Sequence, residues 1–416
     1  MRTRRTPCDL RGLPFAFGLA LVATVSLFAG DWPQYRGADR NGATAERIAT
    51  TWPATQPKEL WRAEVGKGHA PVSVADGRVL TLGYTGKGDT VWCLDANTGN
   101  ELWRYDYPAA ARLKGEPGSG AYDGPHAAPA VHRDRVYTLS RDGQVHCLGA
   151  AKGERRWQRN LAVEQEANLP ECGFAGSPLV VDDMVIVSVG RAGTALDANT
   201  GKTRWHSGRL IAGYGAPTLA TDANGTRHLL FFAYKELISV HPEDGNQRWS
   251  LPWPTRWGAN VADPVAIGDA VFLSSAYGRG CALLDLPTGQ LRWQNKLLGS
   301  QASPLLLHEG ALYGFDGYID CPISGQTLIC MDPLKGTEHW RKKGMGGQMI
   351  LAGGRLVMLL VSGELVIANA TPKAYEELVR ARVQDPESCP VPPTLVGGRL
   401  YCRTGKGLLR CLDVTP

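Results

Sequence analysis

The chain has 416 residues, of which 43% are hydrophobic and 20% charged, and a formal net charge of +5. Four arginines against Asp9 in the first thirty residues supply most of that charge, and no basic run with interleaved aromatics follows, which argues against nucleic acid as a partner. Fifty glycines and 27 prolines suit a turn-rich, all-β protein with no membrane span once a leader is removed.

Residues 1–30 read as a leader. Arg2, Arg4, Arg5 and Arg11 precede an apolar run from Leu13 to Phe28, and the small residues Ala29 and Gly30 follow, which is the layout of a secretory signal. The expectation is export to the periplasm or beyond, in a bacterial cell envelope. An uncleaved anchor is the alternative, because Leu27 and Phe28 make a weak cleavage motif. Cys8 precedes the apolar run and so cannot be a lipidated mature N-terminus. Residues 31–58 are polar, rich in Pro and Gly and without periodicity, so they read as an extended arm anchored by Trp32, Tyr35 and Trp52, with ligand contact as the alternative.

From residue 59 onward one turn is rewritten again and again. Leu94-Asp95-Ala96-Asn97-Thr98-Gly99 leads to Trp103, Leu196-Asp197-Ala198-Asn199-Thr200-Gly201 to Trp205, and Leu284-Asp285-Leu286-Pro287-Thr288-Gly289 to Trp293. Weaker copies end at Trp157, Trp249 and Trp340, and Glu59-Leu60-Trp61-Arg62 looks like the tail of another. The seven tryptophans recur at steps of 42 to 54 residues. A period of this length, with short β runs in each unit, is the signature of a β-propeller. A ring at one register in every blade reads as packing between blades, so Trp61, Trp103, Trp157, Trp205, Trp249, Trp293 and Trp340 are assigned to structure rather than to ligand stacking.

The blades follow in order: residues 69–103, 125–157, 173–205, 214–249, 258–293 and 300–340, each opening on a Pro-containing run suited to an innermost strand at a channel. A seventh, degenerate blade lacks the Trp. Thr371-Pro372 with Glu376 and Glu377 suggests one or two helical turns there, and Tyr375 or Leu378 stands in for the missing ring. Residues 389–414 hold three strands without a fourth, while the chain opens on an orphan Trp strand. The expectation is an eight-bladed propeller of four-stranded antiparallel blades, spanning 59–416 and closed by strands from both ends of the chain. Cys93, Cys147, Cys330 and Cys411 share one strand register and read as small buried apolar side chains; Cys321 with Cys330, or Cys389 with Cys402, are pairings the spacing permits without requiring.

These units resemble the PQQ-like repeat, named for the pyrroloquinoline-quinone (PQQ) alcohol dehydrogenases whose propeller carries the same Asp-x-x-Thr-Gly-x-x-x-Trp turn. The likeness covers about Trp61 to Asp413. The opening Asp31-Trp32-Pro33-Gln34-Tyr35-Arg36-Gly37 is similar to that of exported bacterial PQQ-binding-like β-propeller repeat proteins. A more distant likeness is to the eight-bladed scaffold lipoprotein of the outer-membrane β-barrel assembly machinery. The resemblance implies eight blades and an exported location. It also sets a limit: the dehydrogenases cover their quinone with a disulfide between adjacent cysteines and hold Ca²⁺ with Glu and Asn beside a catalytic Asp, and this sequence has no Cys-Cys pair. Glu171, Asn260 and Asp263 are the nearest residue types, outside any matching motif context.

The residues just before each blade's first strand converge on one funnel mouth in a propeller. They supply His69 from the first blade and Tyr122, Asp123 and His126 from the second. Glu171 and Phe174 come from the third and Tyr214 from the fourth; Trp257 and Asn260 belong to the fifth, Gln301 to the sixth and Gln348 to the seventh. A merely solvated channel would show the same polar mouth. No zinc spacing, P-loop or Ser/His/Asp arrangement stands out, and two His without a paired carboxylate are weak evidence for a metal. The function read from this is a non-catalytic, monomeric scaffold for a protein, polysaccharide or small ligand, with no cofactor expected. The alternatives are a PQQ- and Ca²⁺-dependent dehydrogenase, or a hydrolase or lyase built on the funnel residues.

Overall fold

The computed structural model describes residues 30–52, 55–109, 123–318, 326–387 and 390–416. Eight antiparallel sheets follow one another around a channel, with almost no helix apart from Leu161–Glu164 and the turn Arg256–Gly258. Blade 1 runs from Ser73–Ala75 to Glu101–Tyr107, blade 2 from Ala130–His132 to Arg155–Asn160 and blade 3 from Leu179–Val181 to Thr203–His206. Blade 4 spans Thr218–Thr221 to Gln247–Pro252, blade 5 Val265–Ile267 to Leu291–Asn295, blade 6 Leu306–His308 to Thr337–Lys343 and blade 7 Gly347–Ala352 to Glu377–Arg382. Blade 8 is shared between the chain ends: Lys58–Glu64 pairs antiparallel with Leu408–Asp413, opposite Trp61 at Cys411. The ring is therefore closed as the orphan strand predicts, and no blade is left with an open sheet edge at the seam.

The repeated turn works in the same way wherever it is complete. Asp95 Oδ1 accepts from the backbone N–H of Asn97 at 3.0 Å and of Thr98 at 2.9 Å, and from the Thr98 hydroxyl at 3.0 Å. Gly99 then takes φ 72, and a Cβ there would lie 2.6 Å from the Trp61 ring, so both backbone and neighbour demand glycine. The ring that rests on Gly99 belongs to the preceding blade, and its indole N–H donates to the carbonyl of Ala96 at 3.1 Å. The pattern repeats around the ring: Trp103 donates to Ala150, Trp157 to Ala198, Trp205 to Pro242, Trp249 to Leu286, Trp293 to Leu334 and Trp340 to Thr371. Each tryptophan is thus a staple from one blade to the turn of the next. The cysteines Cys93, Cys147, Cys330 and Cys411 lie opposite Trp103, Trp157, Trp340 and Trp61 and are fully buried, as their register suggests. Burial pushes their thiols up to about 12, 11, 11 and 12, which removes thiolate chemistry. Cys402 is buried in blade 8, while Cys321 and Cys389 lie outside the described residues.

Blade 7 departs from the sequence reading. Glu377 opens a strand rather than closing a helix, and the residue at the Trp register is Val379, opposite Ile367, not Tyr375 or Leu378. Tyr375 instead packs against the ring of Trp340 at 5.8 Å between centroids. The absence of a Trp has a physical reason. In blade 8 the place of the Asp-to-Gly turn is taken by two chain ends, so a ring at position 379 would have no glycine to rest on.

The arm touches every blade. Trp32 pairs through its backbone with Val74 of blade 1, the Pro33 carbonyl accepts from Val131 of blade 2, and Arg40 donates to the carbonyls of Pro178 and Pro217 ahead of blades 3 and 4. Arg36 faces Asp263 ahead of blade 5 and donates to Leu305 of the blade 6 entry at 2.6 Å. Ala43–Thr44 then adds a parallel fifth strand to blade 7, and Glu46 accepts from Gly397 and Gly398 of blade 8. The arm seals the channel on the face of the Asp-to-Gly turns. Among the described residues, nothing of the arm lies over the opposite face, which carries the connections between blades.

Candidate functional site

Under the open face the described residues leave a blind cavity of about 120 Å³. His69, His126, Tyr214 and Gln348 line its upper wall, prolines and small residues such as Pro71, Ala216 and Pro304 its sides, and Tyr35 of the arm its floor. The rings of His69 and His126 stand 5.5 Å apart. Four of the residues read from the sequence therefore meet at one lining. Tyr122 lies outside the described residues. Asp123 is partly buried beside His126; Glu171 is exposed, and Gln301 is held by a hydrogen bond to the Tyr277 hydroxyl at 2.9 Å.

Two of the expected mouth residues belong to the interior. Phe174 is fully buried in the core between blades 2 and 3. Asn260 is also fully buried: its amide donates to Ala233 at 2.9 Å and Trp253 at 3.1 Å and accepts from Ser275 at 3.0 Å. Its whole hydrogen-bonding capacity goes to holding the blade 4 to 5 connection. Trp257 is on the outer surface, away from the cavity lining, with the Arg256 guanidinium 5.1 Å from its ring centre.

The charged group beneath the cavity carries no motif that sets it apart in the sequence. Asp263 accepts from the backbone N–H of Ala216 at 2.8 Å and lies 3.8 Å from Arg36, with Tyr35 close enough to add to its electrostatics. Burial raises its carboxyl above the ordinary range against the pull of Arg36, and burial pushes Arg40 down to about 10. Both ion-pair partners are nearly inaccessible, so this is a plug that fixes the arm rather than a surface pair. Higher up, between blades 8, 1 and 2, Arg403 is fully buried and donates to the carbonyls of Ala70 and Gly66. Glu387, raised to about 7 by burial, accepts from Gly405 at 2.6 Å.

A Ser/His/Asp contact also forms where the sequence showed none. In blade 4, His228 Nε2 lies 3.3 Å from Asp222 and Nδ1 3.1 Å from Ser239. All three are buried, with Ser239 wholly inaccessible, so no substrate reaches the hydroxyl and the trio ties the first turn of blade 4 to its two middle strands.

Asp89 supplies a pH-dependent element. It accepts from the Tyr107 hydroxyl at 3.3 Å, and burial, reinforced by the charge of Asp142, raises it to about 7, opposed by Arg141 and Arg403. A carboxyl with an unfolded value near 3.9 keeps its proton in the fold over the interval from about 4 to 7, so the stability it contributes is complete below about 4 and is lost as pH rises through 7. Asn at this position cannot ionise. Asp89→Asn is therefore expected to match wild type near pH 4 and to exceed it at pH 8, by up to roughly 4 kcal/mol for a shift of about three units. His146, pushed down to about 4 by burial, acts in the opposite sense over the same interval, but it is common to both proteins. Urea midpoints of the two across pH would test this; parallel profiles would contradict it.

The quinone and Ca²⁺ of the resembling dehydrogenases do not fit these residues. Asn260 and Asp263 are engaged with the protein itself, Glu171 is exposed, and among the described residues no group of three or more His, Cys, Asp or Glu side chains could hold a metal ion. The cavity is also below the roughly 300 Å³ at which sites for cofactor-sized ligands begin.

With this geometry in hand, the chain belongs to the PQQ-like β-propeller family: a family profile described as outer membrane protein assembly factor BamB matches residues 47–118 and 110–342. BamB of Burkholderia pseudomallei is 27% identical over 403 residues, covering 84% of this chain and 96% of that protein. The quinohemoprotein alcohol dehydrogenase ADH-IIG of Pseudomonas putida is 30% identical over 159 residues, which is 36% of this chain and only 20% of the enzyme. Among solved structures, quinohemoprotein alcohol dehydrogenase from Comamonas testosteroni superposes with a TM-score of 0.71 at 16% identity over 94% of this chain and 82% of the enzyme. BamB from Moraxella catarrhalis superposes at 0.61 and 17% identity, over 86% of this chain and 98% of its own. At these identities the superpositions speak for the fold. Among the described residues no helix is long and apolar enough to cross a membrane.

Proposed function

We propose that this protein is a non-catalytic binding scaffold of the cell envelope, exported by residues 1–30 and engaging a protein partner on the open face of a propeller whose other face is sealed by the arm of residues 31–58. The observation that carries this reading is the use of Asp263. A quinone dehydrogenase needs a carboxylate free to take the substrate proton and a divalent ion beside the quinone. Here the carboxylate that lines the cavity is occupied by Arg36 and the Ala216 N–H. The relatives support the same reading: an assembly factor aligns along nearly its whole length, whereas the dehydrogenases align over 16% to 24% of theirs. The cavity edged by His69, His126, Tyr214 and Gln348 is then a small polar recess at the centre of the binding face.

The test is direct. Supplied with PQQ and Ca²⁺, the pure protein is expected to show no dye-linked oxidation of alcohols, sugars or aldehydes and no calorimetric heat of quinone binding. Turnover that disappears in Asp123→Asn or Glu171→Gln, with the melting temperature unchanged, would replace the scaffold by the dehydrogenase.

A further inference from the structure

The open face above blades 4 and 5 carries a feature that folding alone does not account for. Trp257 is 56% exposed and is held at φ 65 within the turn Arg256–Gly258. That region of backbone space is costly for any residue with a Cβ, and an indole left in water forgoes the burial that six of the seven stapling tryptophans obtain. Strain and exposure combined in one large ring point to a use outside the chain.

Its surroundings give the chemistry. The Arg256 guanidinium lies 5.1 Å from the centre of the Trp257 ring, the Lys235 ammonium 5.5 Å from that of Tyr234, and the Arg279 guanidinium 3.5 Å from that of Trp253. Tyr234 packs directly under the turn, since a Cβ on Gly258 would meet its ring. Among the described residues none of these three cations has a carboxylate within ion-pair distance, whereas the neighbouring Arg191 is paired with Glu236 at 2.7 Å. The blade 3 to 4 connection lies alongside, joined by the Tyr214 N–H to the Asn260 carbonyl at 3.2 Å, and presents Leu210 at 60% exposure. Cations parked on aromatic rings next to exposed apolar side chains suit an anionic partner that also brings apolar groups.

We propose that this patch docks an acidic polypeptide segment bearing apolar side chains, with Trp257 as the anchor and Arg256, Lys235 and Arg279 as the counter-charges; the proposal rests on the scaffold reading above. A polypeptide is favoured over an acidic polysaccharide because Leu210 offers a sugar no hydrogen bond and offers an aliphatic side chain a contact surface. Charge complementarity of this kind makes association sensitive to salt.

The experiment titrates the full chain with two synthetic peptides of equal length, one alternating Glu and Leu, the other Lys and Leu, at low and high ionic strength. The acidic peptide is expected to bind, to weaken with salt, and to lose about tenfold or more in affinity in Trp257→Ala and in Arg256→Glu. Because Trp257 and its neighbours are at the surface, both variants should keep the wild-type melting temperature, and Trp257→Phe should retain most of the binding. Equal binding of both peptides, or an unaltered affinity in Trp257→Ala, overturns the proposal. Binding of soluble polygalacturonate through Trp257 in place of the acidic peptide overturns the choice of partner class. Quinone-dependent turnover would instead remove the scaffold reading itself, whatever the peptides do.

Discussion

Removing residues 31–64 is expected to abolish the cooperative unfolding of the whole ring, not to trim one end of it. That deletion takes away the fourth strand of blade 8, whose register runs from Lys58 opposite Asp413 to Glu64 opposite Leu408. It also takes away Trp61, the staple onto Gly99 and Ala96 that joins blade 8 to blade 1. Loss of a buried Trp side chain alone costs about 3–5 kcal/mol, and a domain typically has about 5–15 kcal/mol in total. Trimming only residues 31–49 leaves the seam shut and is expected to lower the melting temperature without removing the transition. A protein starting at Val65 that melts as sharply and as high as the full chain would refute closure as the source of stability.

Asp263→Ala is expected to cost about 3–5 kcal/mol, because it strands the nearly inaccessible guanidinium of Arg36 and removes the negative charge that faces Arg40. Asp263→Asn should cost less, since an amide oxygen still accepts from Ala216. The decisive comparison is Asp263→Leu combined with Arg36→Met: replacing both partners of a buried pair by apolar groups recovers much of the loss that either single change produces. Urea unfolding gives all of these values. A loss below about 1 kcal/mol in Asp263→Ala would mean that the plug is wet and the pair weak.

The parts legible in the sequence are those whose partners are encoded locally. Asp95, Thr98 and Gly99 form their turn among themselves, so the Trp spacing that follows could be read without knowing what the ring touches. The closing strand was legible because its orphan Trp61 had no turn before it and residues 389–414 had no strand after them. What stayed hidden depends on contacts across the ring. Nothing near Asp263 announces Arg36, and His228 meets Ser239 only once the two middle strands of blade 4 are paired. The funnel residues show the same limit: position before a first strand predicts the end of the channel but not the direction of the side chain. His69, His126, Tyr214 and Gln348 turn inward, Phe174 and Asn260 turn into the protein, and Trp257 turns outward. The helical reading of residues 371–378 failed because Pro and Glu content speaks to a helix start, while the strand after it is dictated by pairing with Glu364–Asn369.

The stapling tryptophans all point the same way around the ring, each from its own blade to the turn of the following one. This polarity makes the repeat a self-propagating unit of duplication. A copied blade brings a turn that receives its predecessor's ring and a ring that seeks its successor's turn, so it can be spliced between any two stapled blades with no mismatch at either side. The junction from Val379 to the chain ends is different: nothing is given there and nothing received. Growth or loss of blades within this lineage should leave that junction, and with it the paired termini, as the fixed point of the ring.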